Sequence, residues 1–249
     1  MKRILGLSAG ALALLIAGTA ANATQLEVLS STGMEAVLRQ LAPTYEKDTG
    51  NKLAMTFLTT NLLKDKVDQG AKFDVLILVP VPSMVDALVK SGKLAPKLTP
   101  IAKAGLGAAF RPPAPDISTR DKFKQALVSA KSIAYTTTGQ SGIYLQKLIA
   151  EMGIADEVKA KGKPIPTGQT AAFVAKGEAD MAIQLIPELN AVAGVQVVPF
   201  PAEVQHYLDF AGGVNPATKR PNRAAAFLRY LTGPKGIAAI KAKAMEPGN

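Results

Sequence analysis

The sequence predicts an α/β chain of two lobes, each an open, mostly parallel sheet flanked by helices, with a ligand cleft between them. Three observations carry this prediction. Short apolar runs alternate with segments of helical periodicity. One run, Phe73 to Val79 (FDVLILV), is apolar almost throughout, as a strand covered on both faces must be. The alternation then restarts near Leu106, which implies a second unit of the same kind.

Element by element, Leu26 to Ser30 reads as a strand. Met34, Val37, Leu38, Leu41 and Tyr45 fall on one helical face that runs out near Gly50. Leu53 to Leu58 is a strand, Leu62 to Gln69 a helix and Phe73 to Val79 a strand. Pro82 to Ser91 is a helix with proline in its first turn and Gly92 as its stop. In the second unit, Leu106 to Phe110 is a strand, and the Pro-rich segment Arg111 to Asp116 cannot be helical. A helix over Asp121 to Val128 follows, then a strand over Ser132 to Tyr135 and helices over Gly142 to Met152 and Ala171 to Lys176. Met181 to Ile186, Val195 to Val198 and Tyr207 to Ala211 read as strands, ahead of helices Pro221 to Leu231 and Pro234 to Lys243.

Lys2 and Arg3 precede an uncharged apolar stretch, Ile4 to Ala17, and Ala21-Asn22-Ala23 offers a small-residue cleavage site. These are the marks of a secretory signal peptide over residues 1–23, cleaved after Ala23, so the mature chain is expected in the periplasm. As a helix the stretch spans roughly 21 Å, short of the roughly 30 Å hydrocarbon core. The mature chain keeps 27 basic and 19 acidic residues, a net charge of +8. Its lysines are scattered and aromatic residues make up 5% of the chain, which argues against nucleic acid as a partner. With no cysteine, disulfides and thiolate metal sites are excluded, and a monomer held together by its core is expected.

An enzyme needs catalytic groups, and none are arranged recognisably. The single histidine, His206, adjoins an apolar strand and reads as structural or surface. Gly139-Gln140-Ser141-Gly142 resembles a nucleophile elbow only superficially, because Ile143 stands where that turn needs glycine. Phosphate loops, dinucleotide fingerprints and His/Cys metal clusters are missing, so the chain is expected to be neither an enzyme nor a carrier of a metal or cofactor.

Small polar residues gather instead where strands turn into helices. Ser30-Ser31-Thr32-Gly33, Thr59-Thr60-Asn61, Thr136 to Gly142 and Thr167-Gly168-Gln169-Thr170 each open a helix. In an open α/β sheet such turns line the crevice at the carboxyl ends of the strands. Each presents free N–H groups and the positive end of a helix dipole, a site for an anion. The alternative for any single turn is ordinary helix capping, which favours the same residues.

Glu27 to Ser31, Leu41 to Gly50, Phe73 to Ile77, Met84 to Gly92, Gly142-Ile143-Tyr144, Lys176 to Asp180 and Ala224 to Leu231 resemble, in order, the periplasmic molybdate-binding-like proteins. These belong to the type II periplasmic binding protein fold. The resemblance covers nearly the whole mature chain. It implies a periplasmic solute-binding protein that closes around its ligand and delivers it to an ABC transporter permease. It further implies one lobe of residues 24–106 and 208–249, a second of residues 107–207, and two crossing segments.

Molybdate-holding relatives place a serine where this chain has Gly33, though Ser31 and Thr32 adjoin it, and a hydroxyl where it has Thr60. They place a tyrosine where it has Leu185, next to Gln184. With those donors absent, and with Gln140, Gln184 and Arg111 able to hold a carboxylate in directed geometry, a small organic carboxylate is expected over a tetrahedral oxyanion. The ligand-binding set expected is Ser31, Thr32, Gly33, Thr60, Asn61, Arg111, Thr138, Gln140, Ser141, Gly142, Gln169, Thr170 and Gln184. An extracytoplasmic sensor that hands the same ligand to a signalling receptor is the competing function.

Overall fold

The computed structural model describes residues 25–248; the proposed signal peptide lies outside the described residues. In chain order the strands are β1 (Gln25–Ser31), β2 (Lys52–Leu58), β3 (Val75–Leu78), β4 (Thr99–Phe110), β5 (Ile133–Thr136), β6 (Gly162–Ile165), β7 (Met181–Leu185), β8 (Gln196–Pro199), β9 (Tyr207–Val214) and β10 (Glu246–Pro247). The helices are α1 (Glu35–Thr49), α2 (Thr60–Asp68), α3 (Pro82–Lys90), α4 (Arg120–Ser129), α5 (Gln140–Glu151), α6 (Ala155–Ala160), α7 (Ala171–Ala175), α8 (Ile186–Leu189), α9 (Pro221–Leu231) and α10 (Pro234–Lys241).

The strands follow the order β2-β1-β3-β9-β4-β7-β5-β6. At each flank they are parallel: β1 with β2 and β3, and β5 with β6 and β7. At the centre the long strand β4 joins the two halves. Its residues 99–105 pair antiparallel with β9, and from Leu106 to Phe110 it pairs antiparallel with β7. One strand thus belongs to both halves, which the shorter Leu106–Phe110 reading missed, because Thr99 to Gly105 is rich in small residues and lacks a clear alternation. Short elements also escaped periodicity: α6, β6 and the four-residue α8.

The predicted helices form for the reasons their sequences give. The α1 stripe Val37, Leu38, Leu41 and Tyr45 is buried, and Gly50 ends the helix in the left-handed conformation at φ 69°. Tyr45 meets Phe227 of α9 edge to face at 5.1 Å, fixing the C-terminal helices to the first half. All four β3 residues are buried, as expected for a central strand between helical layers. Parallel strands with crossover helices put the starts of α1, α2, α5 and α7 at the carboxyl ends of their strands, where the two halves face each other.

Candidate functional site

Between the halves lies a cavity with about 310 Å³ of empty space, its mouth included. Ser31, Thr32, Gly33, Thr59, Thr60 and Val79 line it from the first half, and Thr136, Gly139, Gln140, Ser141, Gln184, Leu185 and Glu188 from the second. Lysine and arginine are absent from this lining, so the donors available to an anion there are backbone N–H groups, hydroxyls and side-chain amides. At the starts of the turn after β1, of α2, of α5 and of α7, the side chain of the capping residue accepts no backbone hydrogen bond. The other described helices are likewise without a side-chain cap, except α4, where Thr119 accepts from the Lys122 N–H. What sets the starts of the turn after β1, of α2 and of α5 apart is their place on one cavity, where first-turn N–H groups can meet a ligand, whereas the Thr170 N–H at α7 is taken by Gln184.

The hydroxyls are positioned rather than free to wander. Thr60 Oγ1 accepts from the Val79 N–H at 3.2 Å, tying α2 to the end of β3. Thr136 Oγ1 and Ser141 Oγ lie 3.5 Å apart across the start of α5. Gly142 has no room for a side chain: a Cβ there would sit 1.6 Å from the Thr136 carbonyl oxygen, so α5 packs directly onto the end of β5. Gly33 is crowded by side chains rather than by backbone. A Cβ on it would meet Phe210 Cζ at 2.5 Å and Leu185 Cδ1 at 2.9 Å. A serine there would therefore press on the ends of the Phe210 and Leu185 side chains, which would have to shift to admit it.

Of the expected residues, Ser31, Thr32, Gly33, Thr60, Gln140, Ser141 and Gln184 line this cavity. Gln169 lines an adjoining hollow with Thr32, Gly33, Glu35, Arg39, Pro187 and Glu188. Thr138 stands at the rim, its hydroxyl 2.7 Å from that of Thr59, and Asn61 is half-buried outside the lining.

Two expectations need correction. Thr170 does not face the cavity: it is fully buried, and its N–H and hydroxyl both donate to Gln184 Oε1, at 3.0 and 2.9 Å. The Gln184 amide completes this arrangement by donating to the Gly168 carbonyl at 2.9 Å. Thr170 thus orients a lining residue and leaves no donor for a ligand. Arg111 is at the wrong end of the sheet. Its neighbour Phe110 pairs with Met181 while Gly107 pairs with Gln184, so Arg111 lies about 13 Å along β4 from the cavity level. Its guanidinium is half-exposed beside Asp180, at 3.6 Å.

Sequence reasoning missed Glu188. It follows Pro187 in α8, too short an element to announce itself by periodicity, and among the described residues it is the one acidic or basic side chain lining the main cavity. Burial pushes its carboxyl up to about 7, partly offset by polar groups facing it from Thr32, the Leu185 N–H and Gln184, and raised further by the charge of Glu35. His206 takes no part: its ring stacks on Tyr144 at 4.4 Å, and burial lowers its pKa. The one carboxylate among the described residues that is fully buried by exposure, Asp74, is at the amino end of β3 and is engaged by the Glu27 N–H and by Thr218 and Arg220. Among the described residues there is no cluster of three or more metal-ligating side chains, and no helix long and apolar enough to cross a membrane.

Comparison with known proteins adds four findings. Residues 26–246 match the family model of the bacterial extracellular solute-binding proteins. An aconitate isomerase of a Pseudomonas species is 34% identical over 253 aligned positions, covering 94% of each chain. The molybdate-binding protein ModA of Azotobacter vinelandii is 24% identical, covering 97% of this chain and 95% of its own. The solved periplasmic molybdate-binding protein of Azotobacter vinelandii superimposes with a TM-score of 0.76 at 19% identity, covering 88% of this chain and 98% of that one. The first of these relatives is an enzyme by name, so the expectation of a purely non-catalytic chain does not extend to every member of this group.

Proposed function

The chain belongs to the bacterial extracellular solute-binding proteins, and from that premise we propose that it captures a small organic polycarboxylate, of the aconitate type, in the cleft between its two halves. The observation that carries this reading is the convergence of uncapped helix starts on one cavity without cationic side chains. A carboxylate buried there is held by several N–H donors and hydroxyls, which offset its desolvation. Val79, Leu185 and Leu208 supply an apolar wall for a carbon skeleton, which a tetrahedral oxyanion lacks. Glu188 disfavours a compact dianion when ionised, and when protonated it donates to a ligand carboxylate.

In this reading residues 24–106 with 208–249, and residues 107–207, are the two lobes, and the switch of β4 partners between Gly105 and Leu106 supports a crossing there. The signal peptide is removed after Ala23, and the loaded protein serves an ABC transporter permease as a monomer. Isothermal titration of the mature chain with cis-aconitate, trans-aconitate, citrate, sulfate and molybdate tests the ligand class. Heat from a polycarboxylate and none from molybdate is expected; tight molybdate binding with silent carboxylates overturns the reading. At 100 times its dissociation constant the ligand should also stabilise the fold by about 2.7 kcal/mol.

A further inference from the structure

We propose that Glu188 is a proton-transfer group through which the cleft moves a proton along an unsaturated polycarboxylate, so that the protein isomerises the ligand it binds. The inference rests on the carboxylate reading of the cleft and goes beyond it. Glu188 is shared, with Thr32 and Gly33, between the walls of the main cavity and of the adjoining hollow, so a ligand anchored at the starts of α2 and α5 and extending toward the hollow passes its carboxyl. No other acid or base among the described residues lines the main cavity, and the one histidine is stacked elsewhere.

The carboxyl is also held in place. Gln184 faces it, and the Gln184 amide is itself locked by Thr170 and Gly168. The charged groups near it are Glu35 and Arg39 of α1, which line the hollow and pair with each other at 2.7 Å. A carboxyl raised by burial to about 7 exchanges protons in both directions near neutrality, as a group that must first act as base and then as acid requires.

The step balances without a cofactor. In a propene tricarboxylate, one methylene lies between the C=C bond and a carboxylate, so its C–H bond is acidified from both sides. The Glu188 carboxylate takes one methylene proton. The released electron pair spreads over the three-carbon allyl unit and its carboxylates, where N–H groups at the helix starts stabilise the added charge. Glu188 then returns the proton to the far allyl carbon. One C–H bond breaks, one forms and the double bond moves by one position; nothing is oxidised or reduced.

Mature wild type and Glu188→Gln are incubated with cis-aconitate in D2O and followed by NMR, with titration calorimetry in parallel. The expected result is conversion to the trans isomer with deuterium in the ligand for wild type. Glu188→Gln should bind but lose exchange and conversion by about 10²-fold or more. Wild type that binds but neither converts nor exchanges overturns the inference and leaves the binding reading standing. Wild type that binds no polycarboxylate overturns both. Glu188→Gln converting at the wild-type rate removes the role assigned to Glu188. Should Glu188→Gln fail to bind, Glu188→Asp decides: slower exchange with binding intact supports the proposal, and unchanged exchange overturns it.

Discussion

The Thr59 hydroxyl, at the start of α2, lies 2.7 Å from the Thr138 hydroxyl ahead of α5. These residues are anchored in different halves of the molecule, so the contact bridges the cleft. Thr138 also donates to the Pro166 carbonyl, which leaves the Thr59 oxygen as the partner that a substitution removes most cleanly. Thr59 makes no side-chain cap to α2, so Thr59→Val should spare the helix. A neutral hydrogen bond is worth about 0.5–1.5 kcal/mol, so affinity for the polycarboxylate should fall by about 2- to 12-fold with little change in the melting temperature of the empty protein. Titration calorimetry checks this; unchanged affinity would mean the pair does not contribute to closure.

Gly33→Ser adds the hydroxyl that the molybdate-binding-like resemblance leads one to expect, but into occupied space. Its Cβ would press on Phe210 and Leu185, both buried. Overpacking of this kind costs about 1–3 kcal/mol. Thermal or urea unfolding should show that loss, and molybdate binding should not appear.

Arg111→Ala should leave ligand affinity unchanged. Its guanidinium sits beside Asp180 at the amino end of β7, and a half-exposed ion pair at 3.6 Å contributes about 0–1 kcal/mol. Calorimetric binding equal to wild type is the expected result, and a clear loss of affinity would place Arg111 in the site after all.

Glu188 makes stability fall as pH rises. Its carboxyl holds a proton up to about 7 in the folded protein, whereas the ordinary value is 4.5. Its stabilising contribution is therefore complete below about pH 4.5 and is lost as pH climbs through 7. Glu188→Gln removes the dependence, so the variant should gain about 3 kcal/mol on wild type between pH 4.5 and pH 8, with the gap closing toward acid. Urea unfolding at the two pH values measures it. A gap that is absent at pH 8, or that widens toward acid, contradicts the assignment of a raised carboxyl.

Much of the fold was legible because it is written in local chemistry. The apolar stripe of α1, the uninterrupted run of β3 and the proline and glycine bounds of α3 each follow from side-chain period and backbone preference. The polar turns were legible too, and Ser31, Thr60, Gln140 and Ser141 meet at one cavity because parallel strands deliver their helix starts to the same end of the sheet. Thr170 resembled them in sequence but turned inward, since the buried Gln184 oxygen required its donors more than the cavity did.

What the sequence determined by itself is therefore the alternation of elements, the placement of small polar residues at strand-to-helix turns and the resemblance to a family of binding proteins. Tertiary structure alone decided which of those residues share a surface. Antiparallel register carried Arg111 away from the cavity level along β4, and the packing of Phe210 and Leu185 crowds any side chain at position 33. The same folding brought Glu188, on a helix of four residues without any periodic signal, into the middle of the cleft. Its carboxyl is unusual only because other segments bury it, and burial by distant segments is a property that no local pattern encodes.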